Sequence, residues 1–369
     1  MTPPSGLMRQ ALDLARQAYG STSPNPWVGA VIVNAGRIVG QGYTRPPGGP
    51  HAEIVALEEA AGVTRGATLY VTLEPCSHHG RTPPCTDALI SAGIAKVVYS
   101  IEDPDQRVSG TGHRQLEEAG VDVEVGDGAE DSARLLEAYI KHRQTGLPFV
   151  IAKYAASIDG RIAAASGDSR WVSGPATLRW AHAGRTKLDA IMVGASTVVV
   201  DDPQLTARPG GELAEHQPLR VVLDSAGRIS PSAGVFSGVA KTLVATTARS
   251  SSEWRWAIEA AGAEVLVLDE DRDGRVPLAE LLRELGSRGV VTLLIEGGGV
   301  LLGSFFDQRL VDKVTAVIAP MVIGAADAPA AIAGRGAQVM RDAVRLSDMT
   351  VERLGDDVLL TGYPDWSQA

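Results

Sequence analysis

The sequence predicts an α/β protein of two domains. The chain has 369 residues, more than one hydrophobic core usually serves. Short β-branched runs alternate with stretches of helical periodicity along its length, the pattern of sheets covered by helices. Thr145, Gly146, Leu147 and Pro148 combine the residue types that end helices, so the boundary is placed there, giving domains 1–146 and 147–369.

In the first domain, Leu7 to Tyr19 reads as an amphipathic helix with Leu7, Ala11, Leu14, Ala15 and Ala18 on one face. Strands are expected at Val28 to Val33 and Ile38 to Gly42, then a helix from Ala52, a strand at Thr68 to Leu73 and a helix after Pro84. A strand at Ala95 to Ile101, a helix at Gly112 to Ala119, a strand at Val121 to Val125 and a single helix from Ala129 to Arg143 complete it. The second domain shows buried-type runs at Phe149 to Ala156, Ala190 to Val193, Arg220 to Leu223, Thr242 to Ala245, Glu264 to Leu268, Val290 to Ile295 and Lys313 to Ala319. Helices at Pro175 to Gly184, Ser252 to Ala261, Leu278 to Leu285 and Val300 to Phe306 lie between them, which argues for a mostly parallel sheet.

Net charge is −10, divided evenly: 12 basic against 17 acidic residues before Leu147, and 22 against 27 after it. A nucleic-acid backbone is normally held by a basic excess, so nucleic acid is not the expected ligand. The amino terminus lacks the order of a signal peptide, and the most apolar stretch, Val314 to Ala326, is too short to cross a bilayer. A cytoplasmic location without membrane attachment is expected. The two cysteines lie in one loop with histidines, a setting that favours metal ligands or catalytic groups over a disulfide.

That loop carries the strongest chemical signal. His51, Ala52 and Glu53 open a helix, and a later strand runs into Glu74, Pro75, Cys76 and then Cys85. Three ligands, His51, Cys76 and Cys85, suit a catalytic Zn²⁺ that keeps one position for solvent, whose acidity the metal raises. Glu53, two residues beyond the histidine, would move the proton and not bind the metal, as in zinc deaminases generally. The pattern points to hydrolytic removal of an amine from a nitrogen ring. Eight residues separate the cysteines where the common deaminase signature has two. The insert brings His78, His79 and Arg81, groups that suit a phosphorylated substrate. A closed structural zinc site, with His78 or His79 as fourth ligand, is the competing reading. Asn25, between Pro24 and Pro26, is rigidly presented for a sugar hydroxyl or a ring edge, or forms a plain turn.

The runs PNPWVGAVIV at 24–33, GGPHAE at 48–53 and LEPCSHHGRTPPC at 73–85 together closely resemble the bifunctional riboflavin-biosynthesis deaminase and reductase family, whose pattern includes the extended cysteine spacing. The resemblance implies a cytidine-deaminase-like α/β/α first domain. It also implies a substrate, 2,5-diamino-6-ribosylamino-4(3H)-pyrimidinone 5′-phosphate, whose 2-amino group is hydrolysed. Asn25, His78 and Arg81 would then contact ribose and phosphate.

The resemblance continues through KYAASIDGRIA at 153–163, SGDSRWVSG at 166–174, VGASTVVVDDPQLTAR at 194–208 and LIEGGG at 294–299. It implies a dihydrofolate-reductase-like second domain, with about eight mostly parallel strands, that uses NADPH to reduce the ribosyl group to ribityl. Asp201 would lie beside the nicotinamide with Thr197 and handle a proton. Ser169, Arg185, Leu205, Arg208 and Glu296 would face substrate, and Ala155, Trp171 and Ser225 the cofactor. The residues themselves add one argument. A buried strand enters Glu296 and then Gly297, Gly298 and Gly299 before a helix, and such a backbone can approach a pyrophosphate, though any tight βα turn has the same look. The resemblance also implies a homodimer joined through the reductase domains. A nucleotide or nucleic-acid base deaminase with a non-reductase binding domain, and a non-catalytic zinc scaffold, are the alternatives.

Overall fold

The computed structural model describes residues 3–78, 83–105 and 109–367. The chain divides into two compact units, Met1–Gly146 and Leu147–Ala369.

Unit 1 is built on a five-stranded sheet in the order β2-β1-β3-β4-β5, formed by β1 (Gly29–Asn34), β2 (Arg37–Tyr43), β3 (Thr68–Val71), β4 (Lys96–Tyr99) and β5 (Asp122–Val125). β1 runs antiparallel to both β2 and β3, while β3, β4 and β5 are parallel. Its helices are α1 (Gly6–Ala15), α2 (Ala52–Glu59), α3 (Cys85–Ser91), α4 (Thr111–Glu118), α5 (Ala129–Leu135) and α6 (Glu137–Thr145). Ser5 starts α1 by accepting the Met8 N–H on its hydroxyl, which satisfies one of the unpaired amides of the first turn. Met8, Ala11 and Leu12 of α1 pack with Val31, Val98 and Leu135 on one face of the sheet.

The opposite face carries α2 through contacts with almost no intervening side chain. A Cβ on Gly40 would lie 2.0 Å from the Ala56 carbonyl oxygen, and one on Gly42 2.4 Å from that of Ala52. Glycine at both positions of β2 is therefore what lets the helix that begins after His51 sit on the strand. The single helix expected over 129–143 is two, broken at Leu136, whose φ of −99° and ψ of 13° leave the helical range.

Unit 2 has a nine-stranded sheet in the order β10-β9-β8-β7-β11-β6-β12-β14-β13. The strands are β6 (Phe149–Ser157), β7 (Ala190–Gly194), β8 (Leu219–Leu223), β9 (Thr242–Thr246), β10 (Glu264–Val267), β11 (Thr292–Ile295), β12 (Lys313–Ala319), β13 (Arg345–Leu354) and β14 (Asp357–Asp365). The pairings from β10 through β12 are parallel, and β14 and β13 add an antiparallel ribbon. The helices are α7 (Pro175–Arg185), α8 (Ala195–Asp201), α9 (Ser252–Ala260), α10 (Leu278–Ser287) and α11 (Gly299–Asp307). Ala190 and Met192 of β7 enter a core with α10 and α11, while Ile191 and Val193 enter a second core on the other face. Burial on both faces explains the unbroken apolar runs of these strands.

Two features were not expected from the sequence. The β13–β14 ribbon escaped because β13 is mostly exposed and polar, with little apolar alternation. The short α8 escaped because Val198, Val199 and Val200 read as strand formers, whereas packing of Ala195 and Val198 holds them helical.

Candidate active sites

In unit 1, His51 ends an extended segment at the start of α2, Cys76 follows β3, and Cys85 is the first residue of α3 after Pro84. One donor atom from each lies within 4.8 Å of the others, and no fourth His, Cys, Asp or Glu joins them among the described residues. His51 Nδ1 is 3.6 Å from Cys76 Sγ and 3.3 Å from Cys85 Sγ. The Cys85 N–H donates to Cys76 Sγ at 3.4 Å, so an amide at the start of α3 favours the thiolate of Cys76. The two thiols shift in opposite directions: the hydrogen bond with Cys85 holds Cys76 down to about 4, and the same bond, reinforced by burial, holds Cys85 up. One imidazole and two thiols match the donor set of a catalytic zinc.

Glu53 is 4% exposed, and burial pushes its carboxyl above the usual range. His51, Glu53 and Cys76 line a cavity of about 270 Å³ that also holds Asn25 and His78. His78 Nδ1 is buried without a protein partner. Arg81 and His79 lie outside the described residues.

The cavity wall contains residues that sequence reasoning missed. Glu74 accepts the N–H groups of Asp103, Gly110 and His113 at 3.2, 3.0 and 3.1 Å, tying the 103–113 segment to the residue next to Pro75. Asp103 accepts the Tyr139 hydroxyl at 3.1 Å, and burial pushes its carboxyl up to about 6. Arg143 donates to the Pro24 carbonyl at 3.0 Å and so steadies the turn that presents Asn25. Glu74 adjoins the quoted cysteine motif and was the most accessible of these from sequence.

In unit 2 the predicted residues gather where β7, β8 and β11 end, at the carboxyl ends of the parallel strands, where open α/β sheets bind ligands. Glu296 follows β11 and bonds Lys153 Nζ at 2.7 Å and Arg185 Nη2 at 2.8 Å. Burial pushes Glu296 up, but Arg185 and Lys153 outweigh it and hold the carboxyl down to about 2. Lys153 stood inside the quoted KYAASIDGR run yet was not singled out. Arg185 also donates to the Thr206 carbonyl, and Arg208 donates to the Thr206 hydroxyl, each at 2.9 Å. Asp201, the last residue of α8, accepts the Ser169 hydroxyl at 3.1 Å, while Thr197 accepts the Gly298 N–H at 3.2 Å.

Leu205 is buried in the core, and its backbone is held at φ 53°. Trp171 is 69% exposed and Ala155 lies half-buried on β6. The Ser225 hydroxyl accepts the Val276 N–H, which places it in the β8 turn as a backbone brace. The three glycines divide by role. A Cβ at Gly299 would lie 2.2 Å from the Ala330 carbonyl, a packing constraint, whereas Gly297 and Gly298 are half-buried where α11 begins with no side-chain cap. The Gly298 N–H is already taken by Thr197, so a pyrophosphate there would meet the other amides at the start of α11.

The first unit's fold and donor set define a zinc-dependent deaminase, joined here to a dihydrofolate-reductase-like sheet. Residues 1–101 match the cytidine and deoxycytidylate deaminase zinc-binding region, and residues 148–360 match the RibD C-terminal domain. The riboflavin biosynthesis protein RibD of Synechocystis sp. is 43% identical over 360 residues, covering 96% of this chain and 95% of its own, and that of Escherichia coli is 39% identical over 364 residues, covering 96% and 97%. Among solved structures, Acinetobacter baumannii RibD aligns with a TM-score of 0.86 at 35% identity, covering 97% of this chain and 98% of its own. A Thermotoga maritima protein, named as a diaminohydroxyphosphoribosylaminopyrimidine deaminase/5-amino-6-(5-phosphoribosylamino)uracil reductase, aligns with a TM-score of 0.83 at 35% identity over 97% and 98%. The chain belongs to the RibD family, bifunctional deaminases and reductases of riboflavin biosynthesis that use zinc and NADPH. A match running through the second unit sets aside a deaminase with an unrelated binding domain. Among the described residues no helix is long and apolar enough to cross a membrane.

Proposed function

We propose that residues 1–146 hydrolyse the 2-amino group of 2,5-diamino-6-ribosylamino-4(3H)-pyrimidinone 5′-phosphate. Residues 147–369 then reduce the ribosyl group with NADPH, giving 5-amino-6-ribitylaminouracil 5′-phosphate. The carrying observation is the convergence of His51, Cys76 and Cys85 beside buried Glu53 in a cavity that also presents Asn25 and His78. The activity named for the similar Thermotoga maritima protein supports the substrate.

Bound by those three residues, zinc supplies the Lewis acidity that makes water a nucleophile near neutral pH. Glu53 takes the proton of the attacking water and delivers it to the departing ammonia. Its seat at the start of α2, two residues past His51, keeps it beside the reacting carbon without joining the donor set. Asn25 and His78 hold the sugar, and Arg81 supplies the phosphate fork.

In the reductase, NADPH would supply the hydride that reduces C1′ once the ribosyl ring has opened. The released ring oxygen needs a proton, and Asp201, anchored by Ser169, handles it. Arg185, Arg208, Glu296 and the Leu205 backbone contact substrate. Ala155, Trp171, Thr197, Ser225 and Gly297 to Gly299 surround the cofactor. The protein works in the cytoplasm as a homodimer joined through its reductase units.

The test is paired. Glu53→Gln is expected to abolish ammonia release with zinc near one per chain and NADPH oxidation of deaminated substrate intact; Asp201→Asn is expected to do the reverse with NADPH binding retained. Full turnover in either variant overturns that residue's role, and metal-free active enzyme overturns the deaminase reading.

A further inference from the structure

We propose that Arg220 is a positioning residue of the reductase, a buried guanidinium that holds the 203–208 segment in the shape that meets substrate. The proposal rests on the reading that Leu205 and Arg208 face that substrate.

Arg220 is the second residue of β8 and only 1% exposed. An arginine so deeply buried usually has a carboxylate beside it, because an unpaired charge in the interior is strongly disfavoured. Arg220 has none among its described partners. Nη1 donates to the Gln204 carbonyl and the Ser237 hydroxyl, each at 3.3 Å, and Nη2 donates to the Ala240 carbonyl. Nε is buried without a hydrogen-bond partner, so every contact of the guanidinium comes from its two terminal nitrogens, to backbone and hydroxyl oxygens of two segments, 204 on one side and 237–240 on the other.

The segment it grips needs holding. Asp202 and Leu205 both have positive φ, 42° and 53°, a backbone region that side chains with a Cβ rarely occupy unless their surroundings fix them. Each following peptide is pinned by a side chain from another element. The Thr206 carbonyl meets Arg185 Nη1 at 2.9 Å and His182 Nδ1 at 3.2 Å. The Ala207 N–H and carbonyl are both taken by the Gln217 amide, at 2.8 and 2.9 Å. Arg220 supplies the remaining hold, at the Gln204 carbonyl immediately before Leu205. Three acceptors reached from two nitrogens of one plane call for a fork, which lysine's single point charge does not reproduce.

Displacement of Gln204 would move the Leu205 backbone and Arg208 together, and shifts of about 1 Å in substrate-holding groups cost up to about a hundredfold. Reductase kinetics of Arg220→Lys and Arg220→Ala test this, with NADPH affinity by fluorescence titration, ammonia release as an internal control, and melting curves. The expected result is a KM for the pyrimidine substrate raised by about tenfold to a hundredfold, NADPH affinity and ammonia release unchanged, and recovery of Arg220→Ala by tens of millimolar guanidinium. An unchanged KM overturns the proposal. So does a loss shared equally by NADPH affinity and melting temperature with no recovery by guanidinium, the mark of general destabilisation. If Arg220→Ala does not fold, Arg220→Lys carries the same readings. Arg208→Ala separates the underlying reading: an unchanged KM there removes the segment from the substrate site, whereas a raised KM with silent Arg220 variants defeats this proposal alone.

Discussion

Arg185 holds Glu296 with two nitrogens on one oxygen, Nε at 3.1 Å and Nη2 at 2.8 Å from Oε2, while Lys153 takes Oε1. The carboxylate is therefore saturated by cations and fixed in orientation. Its carboxyl is held down to about 2, so it binds its proton more weakly folded than unfolded. Stability from this cluster is fully present above the ordinary glutamate range and is lost as pH falls toward 2. Glu296→Gln is expected to destabilise unit 2 by about 3 kcal/mol at neutral pH, with the difference from wild type vanishing near pH 2. Chemical denaturation across that range checks it; a pH-independent difference counts against the pairing.

Asp103 has the opposite sign. Its carboxyl is pushed up to about 6, so folding favours the protonated form and stability falls as pH rises from about 4 to 6. Asp103→Asn keeps an acceptor for the Tyr139 hydroxyl. It is expected to raise stability near neutral pH by about 2 kcal/mol and flatten that pH dependence, with deaminase activity reduced because the residue faces the cavity. Melting temperatures at several pH values read the first effect and ammonia release the second.

Gly112 touches the zinc site through the backbone. A Cβ there would lie 2.1 Å from the Pro75 carbonyl oxygen and 3.1 Å from Glu74 Oε1, next to the ligand Cys76. Gly112→Ala is expected to weaken metal retention by about tenfold or more and to lower deamination while NADPH oxidation stays at wild-type level. Competition with a chelator, followed by metal analysis, measures it.

Metal removal divides the two activities. Cys85→Ser, or prolonged chelation, is expected to abolish ammonia release and lower the melting of unit 1, because a bound metal stabilises the state that holds it. The reductase should continue on deaminated substrate, and parallel loss of both activities would contradict separate sites.

The fold class and the zinc donor set were legible because both are written locally. Buried parallel strands produce unbroken apolar runs, and HAE with PC and a following PPC names three donors and a proton carrier within one stretch. Tyr139 and Arg143 were not legible. They reach the cavity from α6, and nothing in an ordinary helix sequence distinguishes a residue facing a cavity from one facing solvent. Lys153 was hidden for a similar reason: its partner Glu296 lies 143 positions away, and only the β11–β6 pairing brings the strands together. Ser225 and Leu205 show a different limit, since a sequence position does not reveal that a side chain is already engaged within the fold, one bracing the Val276 N–H and the other packed in the core.

The seat of α2 on bare glycine has an evolutionary corollary. Because Gly40 and Gly42 bring main chain against main chain, the spot from which His51 and Glu53 project depends little on which aliphatic residues fill the interior. Lineages can exchange leucines, valines and isoleucines beneath the site without retuning its chemistry, while those two smallest residues leave selection almost nothing to try.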